Sequence, residues 1–300
     1  MNGYLFDNLV TAYTDLTTNE ETEPELFSLW VKEGNTYSPA QDITVKKKVK
    51  PGCYSLGEKN TIVKTDITND ELIAPNGIIT DILNEIDTFW NLKEEFKKYN
   101  LIHKRGLVLE GPPGSGKSSI VSLLLKQVIE KKGVVFTATA GYDLVKTIEY
   151  LQTIFRKIEP ETPIVLVIED IDKTFNKDEQ SILLNFLDGK KSINHILTIL
   201  TVNDSTKLSD SLLRPSRIDK RFEILAPDEN ARKEYFKTKN IDKKEIKQLV
   251  EKTEGLTFAQ LKEVLISYIL FKHDLDETIE NLKTIQEKKD YSVNEENCGL

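Results

Sequence analysis

The stretch GLVLEGPPGSGKSS, from Gly106 to Ser119, decides the fold. It begins as an apolar run with the character of a buried strand and continues as GPPGSGKSS, which fits the pattern G-x-x-x-x-G-K-[ST]. An amphipathic helical run follows. Glycines let such a loop wrap closely around phosphate groups with its N–H groups pointing inward, and the N-terminus of the next helix adds positive potential. The stretch therefore predicts a strand, loop and helix that bind a nucleoside triphosphate.

The loop supplies the nucleotide contacts and one ligand for a metal ion. Lys117 is expected to reach the β- and γ-phosphates, and the hydroxyl of Ser118 is expected to ligate Mg²⁺. The alternative is a glycine-rich turn that fits the pattern by chance, and the strand before it and the helix after it weigh against that interpretation. The predicted nucleotide-binding residues are Gly111, Pro112, Pro113, Gly114, Ser115, Gly116, Lys117, Ser118 and Ser119.

A second apolar run, VLVIEDID from Val165 to Asp172, ends in two adjacent carboxylates. In P-loop nucleotide hydrolases, an acid at this strand end holds Mg²⁺ and a neighbouring group orients the attacking water. Glu169 and Asp170 are the candidates for these two tasks. Capping of the next helix by Asp170 and Asp172 is the alternative, and it is plausible for Asp172.

Strand-like and helical runs alternate between Gly106 and Asn203, which indicates βαβ units and a parallel sheet covered on both faces. After Pro227 only helical periodicity remains. The predicted fold class is α/β, with a P-loop NTPase parallel sheet flanked by helices, a small helical lid domain after it and a small N-terminal accessory domain before it. The predicted domains are an accessory domain at 1–72, an ATPase large subdomain at 73–226, a lid subdomain at 227–288 and a flexible tail at 289–300.

The composition is that of an acidic globular protein, with 300 residues and a formal net charge of −8. This balance gives no overall attraction to nucleic acid, and two widely separated cysteines suggest free thiols in a reducing compartment. Because no window approaches the roughly 18 apolar residues of a spanning helix, we predict no membrane segment and a cytoplasmic location. The lysine run from Lys46 to Lys50 could contact phosphate, but a solvated edge strand is the simpler interpretation.

Five segments in order carry a family resemblance: GPPGSGKSS, ILLNFLDG, TVNDSTKLSDSLLRPSRIDKRFEI, APDENARKEYF and GLTFAQLKEVL. The sequence resembles AAA-type ATPases over about residues 75 to 275. This resemblance implies ATP and Mg²⁺ as cofactors and a ring, usually a hexamer, in which arginines of a neighbouring subunit complete each site. The sequence is also similar to the Bcs-type branch in its Glu-Asp order and in LIHKRGLVLEGPPGSGKS, although the membrane anchor of that branch is not found.

The resemblance also implies residue roles. Asn203 matches the sensor that positions the water and senses the γ-phosphate, with formation of a turn as the alternative. Arg214 and Arg217 match the paired trans-acting arginines, with structural salt bridges as the alternative. By position, Glu169 takes the magnesium-side role and Asp170 the water-orienting one. The lid segment GLTFAQL contains no arginine, so the family's second sensor arginine has no counterpart there.

The function predicted from these features is ATP-driven remodelling of a protein partner by a ring oligomer. A nucleic-acid-associated loader and a nucleotide-dependent scaffold with little turnover are the alternatives. The segment FTATAGYDLVK lacks the aromatic-apolar-glycine triplet of family members that unfold proteins. Threading of a polypeptide is therefore not predicted, and Tyr142 is not named as a pore residue.

Overall fold

The computed structural model describes residues 29–33, 36–40, 48–66, 77–139, 141–172, 177–188 and 193–284. The chain divides into two compact units, Met1–Val49 and Lys50–Leu300. In the first unit, strands β1 (Leu29–Glu33) and β2 (Thr36–Ala40) form an antiparallel pair. The predicted flexible tail lies outside the described residues.

A seven-stranded sheet forms the centre of the second unit. Its strands are β3 (Gly52–Leu56), β4 (Ile62–Thr65), β5 (Lys104–Glu110), β6 (Val134–Thr139), β7 (Ile164–Glu169), β8 (Ile196–Val202) and β9 (Lys220–Glu223). The strand order is β4-β3-β6-β7-β8-β5-β9, and every neighbouring pair is parallel except β3 with β4. The central strands are largely apolar and mostly buried, as expected for a sheet that is covered on both faces.

The two compact units meet at residues 49 and 50, before the predicted domain boundary at residues 72 and 73. Strand β3 pairs with β6, with Cys53 opposite Val135, and β4 extends the sheet beyond it. These two strands therefore belong to the nucleotide-binding unit, which begins at Lys50. The sequence pattern did not reveal this because β3 and β4 are short, and the strand that β3 pairs with lies far along the chain. Lys48 and Lys50 precede β3 and do not lie in a strand, while Lys46 and Lys47 lie outside the described residues.

Helices cover the sheet and follow it. They are α1 (Gly77–Asn91), α2 (Lys93–Lys98), α3 (Lys117–Glu130), α4 (Tyr142–Tyr150), α5 (Lys177–Leu187), α6 (Glu229–Lys237), α7 (Lys243–Lys252), α8 (Phe258–Val264) and α9 (275–284). Helix α4 continues as the π-helical segment Leu151–Phe155 and one further turn, and α8 continues as the π-helical segment Leu265–Leu270. None of the helices in the described ranges is long and apolar enough to cross a membrane.

Hydrophobic cores on the sheet and among the later helices support the nucleotide-binding unit. In the larger core, α1 and α3 pack against the sheet, and α1 buries Ile79, Ile82, Ile86 and Phe89 at helical spacing, as its sequence pattern predicts. A second core lies among the helices after β9. Phe258, the first residue of α8, packs against both cores. The predicted fold class, a parallel sheet flanked and followed by helices, is confirmed.

Candidate functional site

The carboxyl edge of the sheet brings three predicted segments together. The glycine-rich loop follows β5, the two carboxylates end β7, and Asn203 follows β8. Strand β8 lies between β5 and β7, so these three strand ends are neighbours. Ligands of open α/β sheets bind at this edge, which makes it the candidate nucleotide site.

The glycine-rich loop has a backbone that other residues would not tolerate. Gly114 and Gly116 have φ angles of +79° and +103°, in the left-handed region. A Cβ atom on Gly111 would lie 2.1 Å from the carbonyl oxygen of Ile224. Gly116 also caps α3 without a side-chain hydrogen bond, so the first turn of that helix presents its N–H groups to an anion. The loop therefore has the close-fitting, amide-lined shape that phosphate groups require.

Lys117 is 7% exposed and lies at the centre of the site. Its Nζ atom donates hydrogen bonds to the carbonyl oxygens of Gly111 at 2.6 Å and Pro112 at 3.1 Å, and to Oδ1 of Asn203 at 2.9 Å. These three acceptors are neutral, and a phosphate oxygen is a stronger acceptor for an ammonium group. The side chain is thus already held at the position from which it can bind a phosphate.

A hydrogen-bonded chain links Lys117 to one of the two carboxylates. Asn203 donates from Nδ2 to Oδ1 of Asp170 at 3.3 Å. Because an ammonium group only donates, the amide oxygen of Asn203 faces Lys117, and its NH₂ group is left to donate to the carboxylate. We call Lys117, Asn203 and Asp170 the polar network. It joins the phosphate-binding loop, the predicted sensor and the predicted water-orienting acid.

Asp170 has an unusual backbone, with a φ of +49°. This left-handed conformation is uncommon for residues other than glycine, and aspartate is among the side chains that tolerate it best. The N–H group of Asp170 donates to Oγ1 of Thr201 at 2.9 Å, and Thr201 is 2% exposed. Sequence analysis missed Thr201, although it lies two residues before Asn203 in a segment that the resemblance already singled out.

Two further side chains at this edge carry oxygen atoms of the kind that binds Mg²⁺. Ser118 is exposed in the first turn of α3, and Glu169 is exposed at the end of β7. Hydroxyl and carboxylate oxygens are the hard ligands that Mg²⁺ prefers. Within the described ranges, no group of three or more His, Cys, Asp or Glu side chains could hold a metal ion alone. The donor set therefore fits an ion that is shared with the phosphates of a nucleotide.

The two predicted trans-acting arginines have different surroundings. Arg214 is exposed on the segment between β8 and β9. Arg217 is bound within its own subunit, where Nε and Nη2 each lie 2.5 Å from a carboxylate oxygen of Asp188. Sequence analysis did not single out Asp188, which lies in the quoted segment ILLNFLDG directly after α5.

The helices after the sheet contact the loop directly. The N–H group of Ala259 donates to the carbonyl oxygen of Gly114 at 3.2 Å. A Cβ atom on Gly114 would lie 2.6 Å from Cβ of Ala259. The start of α8 is fixed by a capping box between Thr257 and Gln260. The arginine-free segment therefore lies against the phosphate-binding loop through its backbone.

The amino edge of the same sheet carries a second polar cluster. His103 precedes β5, His195 precedes β8, and their Nδ1 atoms lie 2.8 Å apart. Nε2 of His103 lies 2.8 Å from the carbonyl oxygen of Phe89. Because a carbonyl only accepts, Nε2 of His103 carries the proton, and its Nδ1 accepts from Nδ1–H of His195. Both rings are then neutral, and Nε2 of His195 retains a lone pair.

Burial keeps this histidine pair neutral. His103 is 2% and His195 is 4% exposed. Burial, followed by the positive charge of Lys93, lowers the pKa of His195 to about 4, and burial also lowers the pKa of His103. Glu161 opposes this effect only in part, with its Oε2 atom 3.4 Å from Nε2 of His195. Arg156 donates to the carbonyl oxygen of His195 at 3.2 Å and adds positive charge.

Comparison with known proteins identifies the family of this site. Residues 107–225 match the ATPase family associated with various cellular activities (AAA). The matched stretch includes the glycine-rich loop, the acidic strand end, Asn203 and both arginines.

Curated relatives match over a longer stretch. A proteasome-activating nucleotidase of Methanococcus vannielii is 28% identical over 223 residues, which cover 67% of this chain and 54% of the relative. A cell division cycle protein 48 homolog of Archaeoglobus fulgidus is 30% identical over 198 residues, which cover 58% of this chain and 26% of the relative. The ATP-dependent zinc metalloprotease FtsH 1 of Phytoplasma mali is 28% identical over 239 residues, which cover 70% of this chain and 39% of the relative.

The chain spans about half the length of the first of these relatives and less of the other two. The matched stretch nevertheless contains all three residues of the polar network. Residues 107–225 of the chain therefore form a domain that matches the AAA family of ATPases.

Proposed function

We propose that this protein hydrolyses ATP with Mg²⁺ as a ring oligomer and uses the energy to remodel a protein partner. The observation that carries the proposal is the polar network of Lys117, Asn203 and Asp170. It connects a phosphate-binding ammonium group to a carboxylate through a single amide. A site that only bound nucleotide would need the loop and Lys117 but would have no use for a carboxylate placed to act on water.

Each residue of the site has a defined task in this proposal. The loop amides and Lys117 hold the phosphates, and Ser118 and Glu169 contribute ligands to Mg²⁺, which neutralises charge on the phosphates when bound. Asp170 orients the attacking water. Asn203 bonds to both Asp170 and Lys117, so it holds the carboxylate in place relative to the phosphate-binding lysine. Catalysis of this kind depends mainly on positioning and on charge stabilisation.

The roles of Glu169 and Asp170 are assigned from their positions along the strand. Glu169 is the last residue of β7, whereas Asp170 lies just beyond it and is the one bonded to Asn203. The hydrogen bond to Asn203 supports the water-orienting role for Asp170, since the predicted sensor and the predicted water-orienting group are expected to act on the same water. The similarity to the Bcs-type branch rests on short sequence motifs and remains an interpretation.

A charge that stabilises the transferring phosphoryl group is supplied in trans in this proposal. Arg214 is exposed, which leaves it accessible to the nucleotide of a neighbouring subunit. Arginines supplied in this way raise the rate of other NTPases by roughly 10³- to 10⁵-fold. Turnover should therefore require assembly, and a hexamer is the expected ring.

A protein substrate is supported by the names of the relatives. One is named as a nucleotidase that activates the proteasome and another as an ATP-dependent metalloprotease. The net charge of −8 gives no support to nucleic acid as the partner. Tyr142 is 73% exposed at the start of α4 with Lys146 over its ring, but we assign it no threading role. Location in the cytoplasm remains a prediction from the sequence.

The test is ATPase activity per chain at increasing protein concentration, combined with a mixing experiment. Activity per chain should rise as rings form. Asp170→Asn and Arg214→Ala should each be inactive alone, and mixing them should restore activity where an intact Asp170 meets an intact Arg214.

Three outcomes would contradict the proposal or part of it. Dilute monomer that hydrolyses ATP as fast per chain as the ring would exclude a shared site. ATP binding without phosphate release in the assembled wild type would favour a scaffold. Salt-dependent binding of nucleic acid would favour a loader.

A further inference from the structure

The last residue of β5 carries a carboxylate that joins three neighbouring strands at the carboxyl edge. Oε1 of Glu110 accepts the N–H group of Ser205 at 3.0 Å, and Oε2 accepts from Nη2 of Arg221 at 2.5 Å. The same Nη2 atom donates to Oγ of Ser205 at 2.7 Å. Ser205 follows β8, Arg221 lies in β9, and β5 lies between these two strands. The side chain of Glu110 therefore ties the segment after β8 to the other two strands.

The bond to Ser205 is shielded better than the ion pair. Ser205 is 6% exposed, whereas the side chain of Arg221 is 48% exposed. An ion pair that is half open to water contributes little to stability, but a buried N–H group that loses its acceptor is costly. Burial raises the pKa of the Glu110 carboxyl, but hydrogen bonds from Ser205 and Arg221 outweigh burial and lower it. Glu110 is therefore a charged acceptor at neutral pH, and its main partner is a backbone N–H group.

Asn203 lies between two fixed points of the chain. On one side of it, the carbonyl oxygen of Val202 accepts the N–H group of Gly111 at 3.2 Å. On the other side, the N–H group of Ser205 is bonded to Glu110. Glu110 and Gly111 are adjacent at the junction between β5 and the glycine-rich loop. This junction therefore holds the backbone on both sides of Asn203.

The start of the glycine-rich loop does not depend on the Glu110 carboxylate. The N–H group of Ile224 donates to the carbonyl oxygen of Glu110 at 2.6 Å, and the N–H group of Gly111 donates to β8. Backbone bonds of this kind remain when a side chain is replaced. We therefore expect a change of the Glu110 side chain to displace the segment of Asn203 and to leave the loop in place.

The amide of Asn203 has to bond to two partners at once. Its Oδ1 atom accepts from Lys117 at 2.9 Å, and its Nδ2 atom donates to Asp170 at 3.3 Å. The second bond is already longer than an ordinary N–H···O bond, so a small shift of Asn203 would break it first. Asp170, and not the phosphate-binding lysine, would then lose its support.

We propose that Glu110 is a positioning residue that, through the N–H group of Ser205, holds Asn203 in place between Lys117 and Asp170. It acts through Asn203 and touches neither the phosphates nor the attacking water. This inference rests on the proposed ATP hydrolysis and deepens it, because the strand that carries the phosphate-binding loop then also sets the position of the predicted sensor.

Substitution of Glu110 provides the first test. Glu110→Ala removes both contacts and should lower kcat by at least about tenfold, because misplacement of a group by about 1 Å can cost as much as 10²-fold. ATP affinity, measured by titration calorimetry, should stay unchanged. Glu110→Gln should retain most of the activity, because its amide oxygen can accept the N–H group of Ser205 while its NH₂ group faces the exposed side.

Two matched variants separate the carboxylate from its charge. Arg221→Ala leaves the bond between Glu110 and Ser205 in place, so it should lose less activity than Glu110→Ala. Equal loss in these two variants would show that the ion pair is what matters and would overturn the route through Ser205. Glu223→Gln changes an exposed acid that lies opposite Glu110 in the β5–β9 ladder, and it should behave like the wild type.

A double-variant cycle shows whether Glu110 acts through Asn203. Asn203→Ala removes the amide that Glu110 is proposed to position. In that background, Glu110→Ala should cause no further loss in single-turnover phosphate release, since residues that act through each other are not additive. If the two losses multiply in full while assembly stays normal, the inference fails. Glu110→Asp, which is one methylene shorter, replaces Glu110→Ala in the cycle if the alanine variant does not assemble.

Other results would also overturn the inference. Normal kcat in Glu110→Ala would show that the carboxylate does not position the site. A loss of ATP affinity as large as the loss of kcat would show that it supports the phosphate-binding loop instead. Failure of the proposed function has a different signature, which is an assembled wild type that binds ATP and releases no phosphate.

Discussion

The two edges of the central sheet use polar side chains in opposite ways. At the carboxyl edge, Lys117 and Asn203 form a chain to a partly exposed carboxylate. At the amino edge, His103 and His195 bond to each other and to a backbone carbonyl, and both are almost completely buried. The polar groups of the carboxyl edge surround a candidate ligand site, whereas the two histidines of the amino edge bond to each other.

The difference shows why burial alone does not identify a functional residue. Lys117 and His195 are similarly buried, at 7% and 4% exposure. The lysine ends at a loop with left-handed glycines, where backbone N–H groups have no helical partner. The histidine has its partner on Nδ1 in the ring of His103, which also packs edge-on against it. The candidate ligand site is therefore marked by the backbone N–H groups of the loop and not by the burial of one side chain.

The largest effect is expected for Lys117→Ala. Removing the ammonium takes away a charged hydrogen-bond donor to the phosphates, and truncation of one partner in such a buried pair costs about 2–5 kcal/mol or more. Titration calorimetry should therefore show ATP affinity lowered by at least about 10²-fold. Lys98→Ala, at an exposed lysine of α2, should bind ATP normally. Unchanged affinity in Lys117→Ala would refute the assignment of the phosphate site.

The next effect separates the two carboxylates of the carboxyl edge. Asp170→Asn should leave Mg·ATP bound but slow hydrolysis by at least about 10²-fold, within the span for a group that activates the nucleophile. Glu169→Gln should instead weaken the dependence of ATP binding on Mg²⁺. Phosphate release and magnesium titrations measure the two effects. If the two phenotypes are exchanged, Asp170 is the magnesium-side residue and Glu169 is the water-orienting one, so the roles do not follow position along the strand.

An acid titration tests the buried histidine pair at the amino edge of the sheet. The pKa of His195 is about 4 in the folded protein and near its ordinary value of 6.5 in the unfolded chain. The unfolded state therefore binds more protons between these values, so stability is fully present above the ordinary pKa and is lost as pH falls. We expect the free energy of unfolding to drop by about 2 kcal/mol between pH 8 and pH 5.

Urea unfolding of His195→Asn provides the control for this titration. Asparagine tolerates the φ of +57° at this position but does not titrate. The variant should lose no more than about half as much stability over the same pH range, since His103 still contributes. Equal pH dependence in both proteins would show that other groups cause the acid effect.

The smallest effect is expected for Thr201→Val. The substitution removes the hydroxyl that accepts the N–H group of Asp170 and keeps the shape of the side chain. A buried N–H group without its acceptor costs about 1–2 kcal/mol, which chemical denaturation should detect. Hydrolysis should slow by a few-fold, roughly, because Asp170 loses part of its support. Thr201→Ser keeps the hydroxyl, so its hydrolysis rate should stay close to that of the wild type.

Local patterns predicted the carboxyl edge well. Lys117 and its loop are specified by neighbouring glycines, and the parallel sheet follows from alternating strands and helices. Asn203 was expected near the phosphates, but its bonds to Lys117 and Asp170 depend on three strands that lie side by side in the fold. A sequence pattern gives the strands and does not give the distances between their ends.

The features that sequence reasoning missed depend on contacts between distant segments. Asp188 and Arg217 both lie in quoted motifs, yet nothing in either motif shows that they form an ion pair. His103 and His195 are isolated histidines in the sequence, and their contact exists only because β5 and β8 are neighbours.

The pairing of β3 with β6 has a practical consequence for handling the protein. A shortened version that began at residue 73, where sequence patterns suggested a boundary, would lack β3 and leave the backbone of β6 open along one side. An open strand of this kind is a template for intermolecular pairing, and β6 is apolar. Such a version should aggregate during expression, whereas one that begins at Lys50 retains the outer strands and should remain monodisperse.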